Sequence, residues 1–134
     1  MNDRKVIRVR DVMNDRYILV DGLETVAAAF SELKRKEAQY IIVEKRTEGD
    51  EFGMVLLSDI AKKVIAADRS PERVNVYEVM SKPVIAVRPE MDIRYTARLF
   101  SQFGLAVAPV IDRDSVVGVV TYADIVLRGM SAQD

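Results

Sequence analysis

The stretch Gly118-Val119-Val120-Thr121-Tyr122-Ala123-Asp124-Ile125 decides the fold, because Gly53-Met54-Val55-Leu56-Leu57-Ser58-Asp59-Ile60 repeats its pattern earlier in the chain. Each stretch opens with a glycine and two apolar residues and ends with an aspartate followed by an isoleucine. The apolar residues are typical of a buried strand, and the polar residue before the final isoleucine is typical of a helix start. The chain therefore contains the same strand-to-helix passage twice.

Four further segments of the first half recur in the second half in the same order. They are Asp11-Val12-Met13 with Glu78-Val79-Met80, residues 17–20 with 84–87, the positions Val26, Phe30 and Leu33 with Ile93, Ala97 and Phe100, and residues 40–43 with 108–111. The first hairpin loop, around Thr47 to Asp50, is longer than the second, which costs little in a surface loop. Chance can match one such segment, but five in the same order indicate an internal repeat.

Each half is predicted to form a β-α-β-β-α unit. Helices at 24–36 and 91–103 place their apolar residues on one face, and strands rich in Val and Ile are joined by polar turns. The other predicted elements are strands 18–20, 39–44, 51–57, 84–87, 107–112 and 115–120 and helices 58–67 and 122–129. The fold class is mixed α/β (α+β), with a first repeat at 8–67, a linker at 68–76 and a second repeat at 77–130. A half of about 65 residues is marginally stable alone, so the halves should share a core.

The composition excludes several classes of function. The 134 residues carry a net charge of −1, so the chain as a whole has no electrostatic attraction for nucleic acid or a membrane. The chain has no histidine and no cysteine, which excludes serine triads, His/Cys zinc sites and disulfides. We expect no catalytic residue, no metal and no required cofactor. The charged start predicts no signal peptide, no apolar run reaches the length of a membrane span, and the absence of cysteine fits a cytoplasmic protein.

The combination of these motifs resembles the CBS domain family. The family signature is a glycine, two apolar residues, serine or threonine, two variable residues and an aspartate; the Asp/Glu-Val-Met openings and Ala108-Pro109-Val110 are also typical. The resemblance covers about residues 8–130. It implies two repeats that pack through their sheets around a pseudo-twofold axis, with clefts that bind an adenosine nucleotide (AMP, ADP or ATP). It also implies a homodimer that signals to an effector protein in trans.

The resemblance further implies which residues bind the nucleotide. In the second repeat, Thr121 and Asp124 take the phosphate and ribose positions, whereas in the first repeat Leu56 stands where serine or threonine is usual, close to Ser58 and Asp59. Each cleft is completed by other segments: Thr121 and Asp124 by Asn14, Tyr17, Ile18 and Ala38, and Asp59 by Ser81, Pro83, Val84 and Ile85. We expect the cleft of Thr121 and Asp124 to be the better site. The residues alone favour a different role for these side chains, that of helix caps.

Two pairs of cations have alternative interpretations. Arg16 and Lys82 lie near the implied cleft mouths and are candidates for phosphate contact, with ordinary solvated charges as the alternative. Arg94 and Arg98 lie one helical turn apart and are interpreted as solvated, with ion pairs across a dimer interface as the alternative. The sequence leaves both choices open.

Three functions are consistent with these observations. The first is a ligand-sensing regulatory module that binds an adenosine nucleotide between the repeats and responds by its different affinity for two states. The second is a structural or dimerisation module with degenerate clefts, which Leu56 supports. The third is a small hydrolase with Asp59 and Asp124 as an acid–base pair, although the repeat places these two carboxylates in separate clefts.

Overall fold

The computed structural model describes residues 5–82 and 84–132, and the chain divides into two compact units. The continuous unit is Arg16–Val84, whereas the discontinuous unit combines the residues up to Asp15 with those from Ile85 onward. The opening segment of the first repeat therefore packs with the second repeat. This division follows packing and not sequence repetition, so the repeat boundaries at 67 and 77 stay a prediction.

The described residues contain both helices and strands, which confirms the mixed α/β class. In chain order they are α1 (Val9–Val12), β1 (Tyr17–Val20), α2 (Val26–Arg35), β2 (Tyr40–Val43), β3 (Gly53–Val55), α3 (Leu57–Ile60), α4 (Ile93–Phe103), β4 (Val107–Asp112), β5 (Ser115–Thr121) and α5 (Gly129–Ala132). A π-helical turn follows α3 (Ala61–Ile65), and another precedes α5 (Asp124–Arg128). Two 3-10 turns lie between α3 and α4, at Pro71–Arg73 and Val76–Glu78.

The continuous unit is built on a three-stranded sheet with β2 in the middle, parallel to β1 and antiparallel to β3. Helix α2 begins after Thr25, whose Oγ1 accepts a hydrogen bond from the Ala28 N–H at 3.1 Å and so satisfies a free donor of the first turn. Its buried face packs into the core of this unit. The core consists of Ile18, Val20, Val26, Ala29, Leu33, Ile41, Val43, Val55, Val64, Val74, Val76 and Val79. Burial of each such Val, Ile or Leu side chain contributes about 1.5–3 kcal/mol.

The discontinuous unit follows the same plan around the antiparallel hairpin of β4 and β5. Helix α4 begins after Asp92, whose Oδ1 accepts a hydrogen bond from the Arg94 N–H at 2.8 Å. It ends at Gly104, where a φ of 65° favours glycine. The core consists of Ile7, Val9 and Val12 from the N-terminal segment with Val87, Ile93, Phe100, Ala108, Val110, Val120 and Ile125.

Matching backbone hydrogen bonds show that the two units are built alike. The Val9 N–H donates to the Met91 carbonyl at 2.8 Å, and the Val76 N–H donates to the Glu24 carbonyl at 2.8 Å. The segment 5–15 therefore has the same place in the discontinuous unit as the segment 72–82 has in the continuous unit. Residues of the two units can be compared position by position.

The predicted strand at 84–87 is wrong. Of these residues, only Val87 pairs, through a single parallel bridge to Val110. Pro109 lies opposite Val119 as Ile42 lies opposite Met54, so Pro109 stands in β4 where β2 has Ile42, and a proline cannot donate a hydrogen bond to a sheet ladder. The parallel pairing of β1 with β2 is therefore not repeated in the second half.

The predicted helices exist, but with different ends. The helices predicted at 24–36 and 91–103 begin two residues later, after the capping residues Thr25 and Asp92. The final helix of each half includes a π-helical turn that apolar periodicity did not predict. Within the described ranges, no helix combines the length and the apolar character that crossing a membrane requires.

Candidate functional site

The glycine of the repeated stretch allows a second backbone segment to approach closely. Asn14 pairs with Val119, the residue after Gly118, through two N–H···O bonds of 2.9 Å. A Cβ atom on Gly118 would lie 3.0 Å from Sδ of Met13 and 3.1 Å from the carbonyl oxygen of Asn14. Gly118 has no positive φ, so space is the reason for glycine. The close approach brings Asn14 to the start of the last helix.

Three donors converge on one oxygen of the Asp124 carboxylate. Oδ2 accepts hydrogen bonds from the Thr121 backbone N–H at 3.0 Å, the Thr121 hydroxyl at 2.9 Å and Asn14 Nδ2 at 2.7 Å. The Thr121 hydroxyl also accepts a hydrogen bond from the Asp124 backbone N–H at 3.1 Å. The reciprocal bonds of Thr121 and Asp124 form a capping box, which satisfies donors that a helix start leaves free. Thr121 and Asp124 therefore cap the helix, as the residues alone favoured.

The second oxygen of the Asp124 carboxylate keeps its hydrogen-bonding capacity. Asp124 is partly buried, and no residue in 5–82 or 84–132 donates a hydrogen bond to its Oδ1. An ionised carboxylate oxygen accepts strong hydrogen bonds from hydroxyl groups such as those of a sugar. Capping and ligand binding are therefore compatible at Asp124.

The Thr121 hydroxyl has a more restricted role. A hydroxyl carries a single proton, and that of Thr121 is donated to Asp124 Oδ2. In this arrangement the side chain has no proton to offer to a phosphate. Thr121 thus fixes the position of the Asp124 carboxylate, and a phosphate contact would require its hydroxyl to turn away from Asp124.

Arg128 holds the segment that carries Asn14. Its Nη1 donates to the carbonyl oxygens of Val12 and Met13, both at 2.9 Å. A guanidinium presents its donors in a rigid plane, which suits two adjacent acceptors. In the part of the chain that the structure describes, Arg128 forms no ion pair with Asp124, so this cation leaves the carboxylate without a neutralising partner.

The corresponding site of the continuous unit lacks two of these donors. Asp59 Oδ2 accepts a hydrogen bond from the Leu56 backbone N–H at 2.8 Å, but the leucine side chain has no hydroxyl. Ser81 stands in the place of Asn14 and pairs with Met54 through backbone bonds of 2.9 and 3.0 Å. Among the described residues, no side chain donates a hydrogen bond to Asp59. The carboxylate is consequently held by one bond, where Asp124 is held by three.

The basic residue four positions after the aspartate also differs between the sites. Lys63 stands where the other unit has Arg128, and its Nζ donates to the Val79 carbonyl at 3.3 Å. The same ammonium lies 3.9 Å from Asp59 Oδ1. Oδ1 of Asp59 therefore lies near a cation, whereas Oδ1 of Asp124, within the described residues, does not.

The other predicted binding residues are divided between the units. The continuous unit contains Tyr17, Ile18, Ala38, Ser58 and Ser81, and the discontinuous unit contains Ile85. Ile18 is buried in the core of its unit, with 2% of its surface exposed. Pro83 lies outside the described residues. The structure brings Asn14, Thr121 and Asp124 together, and the roles of the remaining residues in binding stay a prediction.

Lys82, a candidate for phosphate contact, is already paired. Its ammonium binds the Asp50 carboxylate in the first hairpin loop. This bond, together with the backbone N–H of Arg46, holds the pKa of Asp50 well below its usual range. Among the described residues, no group of three or more acidic side chains is placed to hold a metal ion.

Arg128 and Lys63 were not predicted as parts of the sites. Each stands four residues after the repeated aspartate, and this shared position was the signal available in the sequence. Their carbonyl acceptors lie 116 and 16 residues away along the chain, at Val12 and Val79. Only the folded chain shows that the two cations donate to corresponding backbone carbonyls. It also shows that Lys63 lies near Asp59, whereas Arg128 forms no ion pair with Asp124 among the described residues.

The chain is similar to proteins that contain CBS domains. The model of the family described as "CBS domain" matches residues 76–130. The CBS domain-containing protein YhcV of Bacillus subtilis is 28% identical over 123 residues, which cover 92% of this chain and 86% of YhcV.

Two solved structures extend the similarity over nearly the whole chain. The hexameric CBS-CP12 protein from bloom-forming cyanobacteria is 36% identical with a TM-score of 0.86, over 92% of this chain and 71% of that one. The CBS domain pair of protein MJ0100, solved in complex with 5′-methylthioadenosine and S-adenosyl-L-methionine, has a TM-score of 0.78. It is 22% identical, over 97% of this chain and all of that one, and at this identity the likeness concerns the fold.

Proposed function

The chain belongs to the CBS domain family, and on this premise we propose that it is a regulatory module that binds an adenosine-containing ligand. The observation that carries the proposal is the open Oδ1 of Asp124 on a carboxylate that Thr121 and Asn14 hold in place. The predicted ligands AMP, ADP and ATP share their adenosine group with the two compounds bound to MJ0100. The adenosine group is therefore the chemical feature that the site is proposed to recognise.

Ribose is the part of this ligand that the geometry supports most directly. Its vicinal hydroxyls would donate to Asp124, and charge-assisted hydrogen bonds of this kind are short and strong. Thr121 would act mainly by holding the carboxylate, since its proton is already donated. Recognition of ribose through Asp124 requires no phosphate on the ligand. The contributions of Tyr17, Ile18 and Ala38 to the base pocket stay part of the proposal.

The site around Asp59 is proposed to be weaker. Leu56 provides no hydroxyl, and Lys63 lies against the carboxylate oxygen that a ribose would need. A ligand there would have to displace an ammonium before it could bind. Ser58, Ser81, Pro83 and Ile85 stay predicted contributors to that second cleft.

The proposed output is regulation and not catalysis. A ligand that prefers one of two states shifts the population toward that state by its differential affinity, and the shift would reach an effector protein in trans. A homo-oligomer is proposed as the acting form, and the hexameric state of the CBS-CP12 protein supports self-association. Asp59 and Asp124 belong to different units, which argues against a hydrolase that uses them as an acid–base pair.

A structural module without ligand is the second candidate, and Leu56 with the Lys63–Asp59 contact is the observation that favours it. Thermal shift and calorimetry with adenosine, AMP, ADP, ATP, 5′-methylthioadenosine and S-adenosylmethionine separate the two candidates. A ligand-sensing module should bind at least one of these compounds. Absence of any shift or heat over the whole panel would leave the structural module as the function.

Asp124→Asn tests the residue that carries the proposal. The amide keeps the shape of the carboxylate but lacks its charge, so the affinity should fall at least about tenfold, the equivalent of one lost charge-assisted hydrogen bond. Asp11→Asn is the matched control, because Asp11 Oδ2 likewise accepts a backbone hydrogen bond, from Arg8 at 2.9 Å, outside the site. Equal affinities of Asp124→Asn and the wild-type chain would contradict the proposed site.

A further inference from the structure

Four arginines surround one depression on the discontinuous unit. The depression has a volume of about 570 Å³, and its lining comes from the N-terminal segment, the loop before α4 and the first turn of α4. Two of the arginines line it directly, and the other two bind side chains that line it. We call this region the arginine surface, which consists of Arg8, Arg88, Arg94 and Arg98 with Val6 and Tyr95.

The four arginines are not part of the pattern that the two repeats share. At the start of α4, the Ile93 N–H donates to the Ile7 carbonyl at 2.9 Å. At the start of α2, the Val26 N–H donates to the Val74 carbonyl at 2.8 Å in the same way. The residues at the matching places of the continuous unit are Asn75, Asp21, Ala27 and Ser31. The shared backbone therefore does not account for the arginines.

The unit's own carboxylates neutralise only part of this positive charge. Arg94 is paired with Asp92 at 2.6 Å. Arg88 lies 3.6 Å from Glu90, but the two side chains are 76% and 51% exposed, so water screens the attraction. Arg8 donates to the backbone carbonyl of Glu90 at 2.7 Å, and this neutral acceptor leaves the charge of the guanidinium in place. Arg8 and Arg88 can therefore each bind a further anion.

Apolar side chains lie exposed among these cations. The Arg98 guanidinium stands 5.2 Å from the centre of the Tyr95 ring, in a cation–π contact. Among the described residues, no carboxylate pairs with Arg98. Tyr95 is 59% exposed and Val6 is 46% exposed, and both line the depression. The surface thus combines unneutralised guanidinium groups with an apolar floor.

This combination fits an acidic protein segment better than a nucleic acid. A guanidinium matches a carboxylate with two parallel hydrogen bonds, and an apolar side chain beside the carboxylate would bury exposed apolar surface. A nucleic acid strand carries a phosphate at every nucleotide and would place some of them against Glu90 and Asp92. Arginine and tyrosine are also the residue types that contribute most of the binding energy at protein interfaces.

We infer that the arginine surface binds an acidic segment of the effector protein. Carboxylates of the segment bind Arg8, Arg88 and Arg98, and an apolar side chain between them enters the depression against Val6 and Tyr95. The identification of the partner as the effector rests on the proposed function, because a module that regulates in trans must contact its target. Binding of an acidic segment can be measured without any ligand at Asp124.

Fluorescence anisotropy with a panel of labelled peptides tests the inference on the full chain. The panel consists of short polyglutamate peptides interrupted by leucine at every second, third or fourth position. At least one peptide should bind with a dissociation constant at or below about 100 μM. An increase in salt from about 0.05 M to about 0.5 M should weaken this binding, because salt screens exposed charges. The same peptide with serine in place of leucine should bind at least about threefold more weakly.

Variants of the chain locate the binding on the arginine surface. Arg88→Gln with Arg98→Gln should weaken peptide binding at least about tenfold, because two charge-assisted contacts are lost. Arg35→Gln with Arg73→Gln is the matched control, since it removes two exposed arginines from the continuous unit, and it should stay within about threefold of wild type. Urea unfolding of each variant verifies that the chain is folded during the measurement.

Five results would overturn the inference. Three concern the peptides: no binding by any member of the panel at about 1 mM, equal binding of peptides with glutamine in place of glutamate, or unchanged binding by the folded Arg88→Gln, Arg98→Gln variant. The fourth is tighter binding of single-stranded oligouridylate than of any peptide, lost in the same variant, which would assign the surface to nucleic acid. The fifth is a loss of self-association in that variant by at least about tenfold in sedimentation equilibrium, which would assign it to a second copy.

The inference and the proposed ligand site fail separately. Calorimetry of the Arg88→Gln, Arg98→Gln variant with the adenosine compounds should give affinities within about threefold of wild type, because neither arginine belongs to the site of Asp124. Failure of every adenosine compound to bind the wild-type chain would remove the proposed ligand and leave the peptide result unaffected. Failure of the peptides would leave the ligand site unaffected in the same way.

Discussion

Replacement of Asn14 by aspartate should convert the shortest hydrogen bond of the site into a repulsion. Asn14 Nδ2 lies 2.7 Å from Asp124 Oδ2. Aspartate has nearly the shape of asparagine, so the Asn14→Asp variant places two carboxylates where a donor and an acceptor now meet. Asn14→Ser is the matched reference, because serine occupies the corresponding position 81 and removes the amide donor without adding charge.

The expected magnitudes follow from burial and distance. Hydrogen bonds to charged groups contribute about 1.5–3 kcal/mol, and this one is partly exposed, so Asn14→Ser should lower the free energy of unfolding by about 1–2 kcal/mol. Two like charges about 4 Å apart repel by about 4 kcal/mol at an effective dielectric constant near 20. Allowing for solvent screening, Asn14→Asp should cost about 2–4 kcal/mol more than Asn14→Ser at neutral pH.

Urea unfolding at pH 7 and at about pH 3, followed by circular dichroism, measures both quantities. Repulsion requires two ionised carboxylates, so the difference between the variants should be largest at pH 7. It should vanish in acid, where protonation removes the charge. Coincident unfolding curves at pH 7 would refute the reasoning, and so would a difference that persists unchanged at about pH 3.

Three other changes test separate features of the structure. Gly118→Ala should lower the free energy of unfolding, measured in urea, by about 1–3 kcal/mol through crowding against Met13. Gly49→Ala is its control, because a Cβ atom on Gly49 would meet open space. Arg128→Lys should cost about 1 kcal/mol by weakening one of two carbonyl bonds, and equal urea midpoints for variant and wild type would contradict the clamp. Glu24→Gln should stabilise the chain at pH 7, because a raised pKa means that ionised Glu24 opposes folding. This gain should disappear once the pH falls below the unfolded value of about 4.3, and a gain that is the same at both pH values would exclude this cause.

The helices and the hairpin turns could be predicted from local sequence, because the apolar face of α2 and the polar turn of the second hairpin each depend on neighbours within a few residues. The helix starts after Thr25 and Asp92 were predicted two residues too early. The prediction of a strand at 84–87 was wrong because strand formation there depends on hydrogen bonds from the neighbouring strand, β4. Pro109, more than twenty residues later, removes a ladder donor that Ile42 can provide in the other unit.

The site could be predicted only in outline. Thr121 and Asp124 follow from the repeated motif, and the place of Asn14 beside them came from the family resemblance. The contacts of Arg128 and Lys63 could not be predicted in this way. Arg128 donates to the carbonyl of Val12, 116 residues away, and Lys63 donates to that of Val79, 16 residues away. The open or closed state of the carboxylate is therefore a property of the fold.

The discontinuous unit has a consequence for how the chain acquires its structure. The continuous unit, Arg16–Val84, contains all its own segments, so its residues can begin to pack while the remainder is still being synthesised. Val9 and Val12 are fully buried in the finished fold. Some of their contacts involve residues made more than a hundred positions later, such as the hydrogen bond from Arg128 to the Val12 carbonyl. Contacts with so large a sequence separation slow folding. The N-terminal segment thus stays exposed longest, and the last strand and helix complete the assembly of the proposed ligand site as they are made.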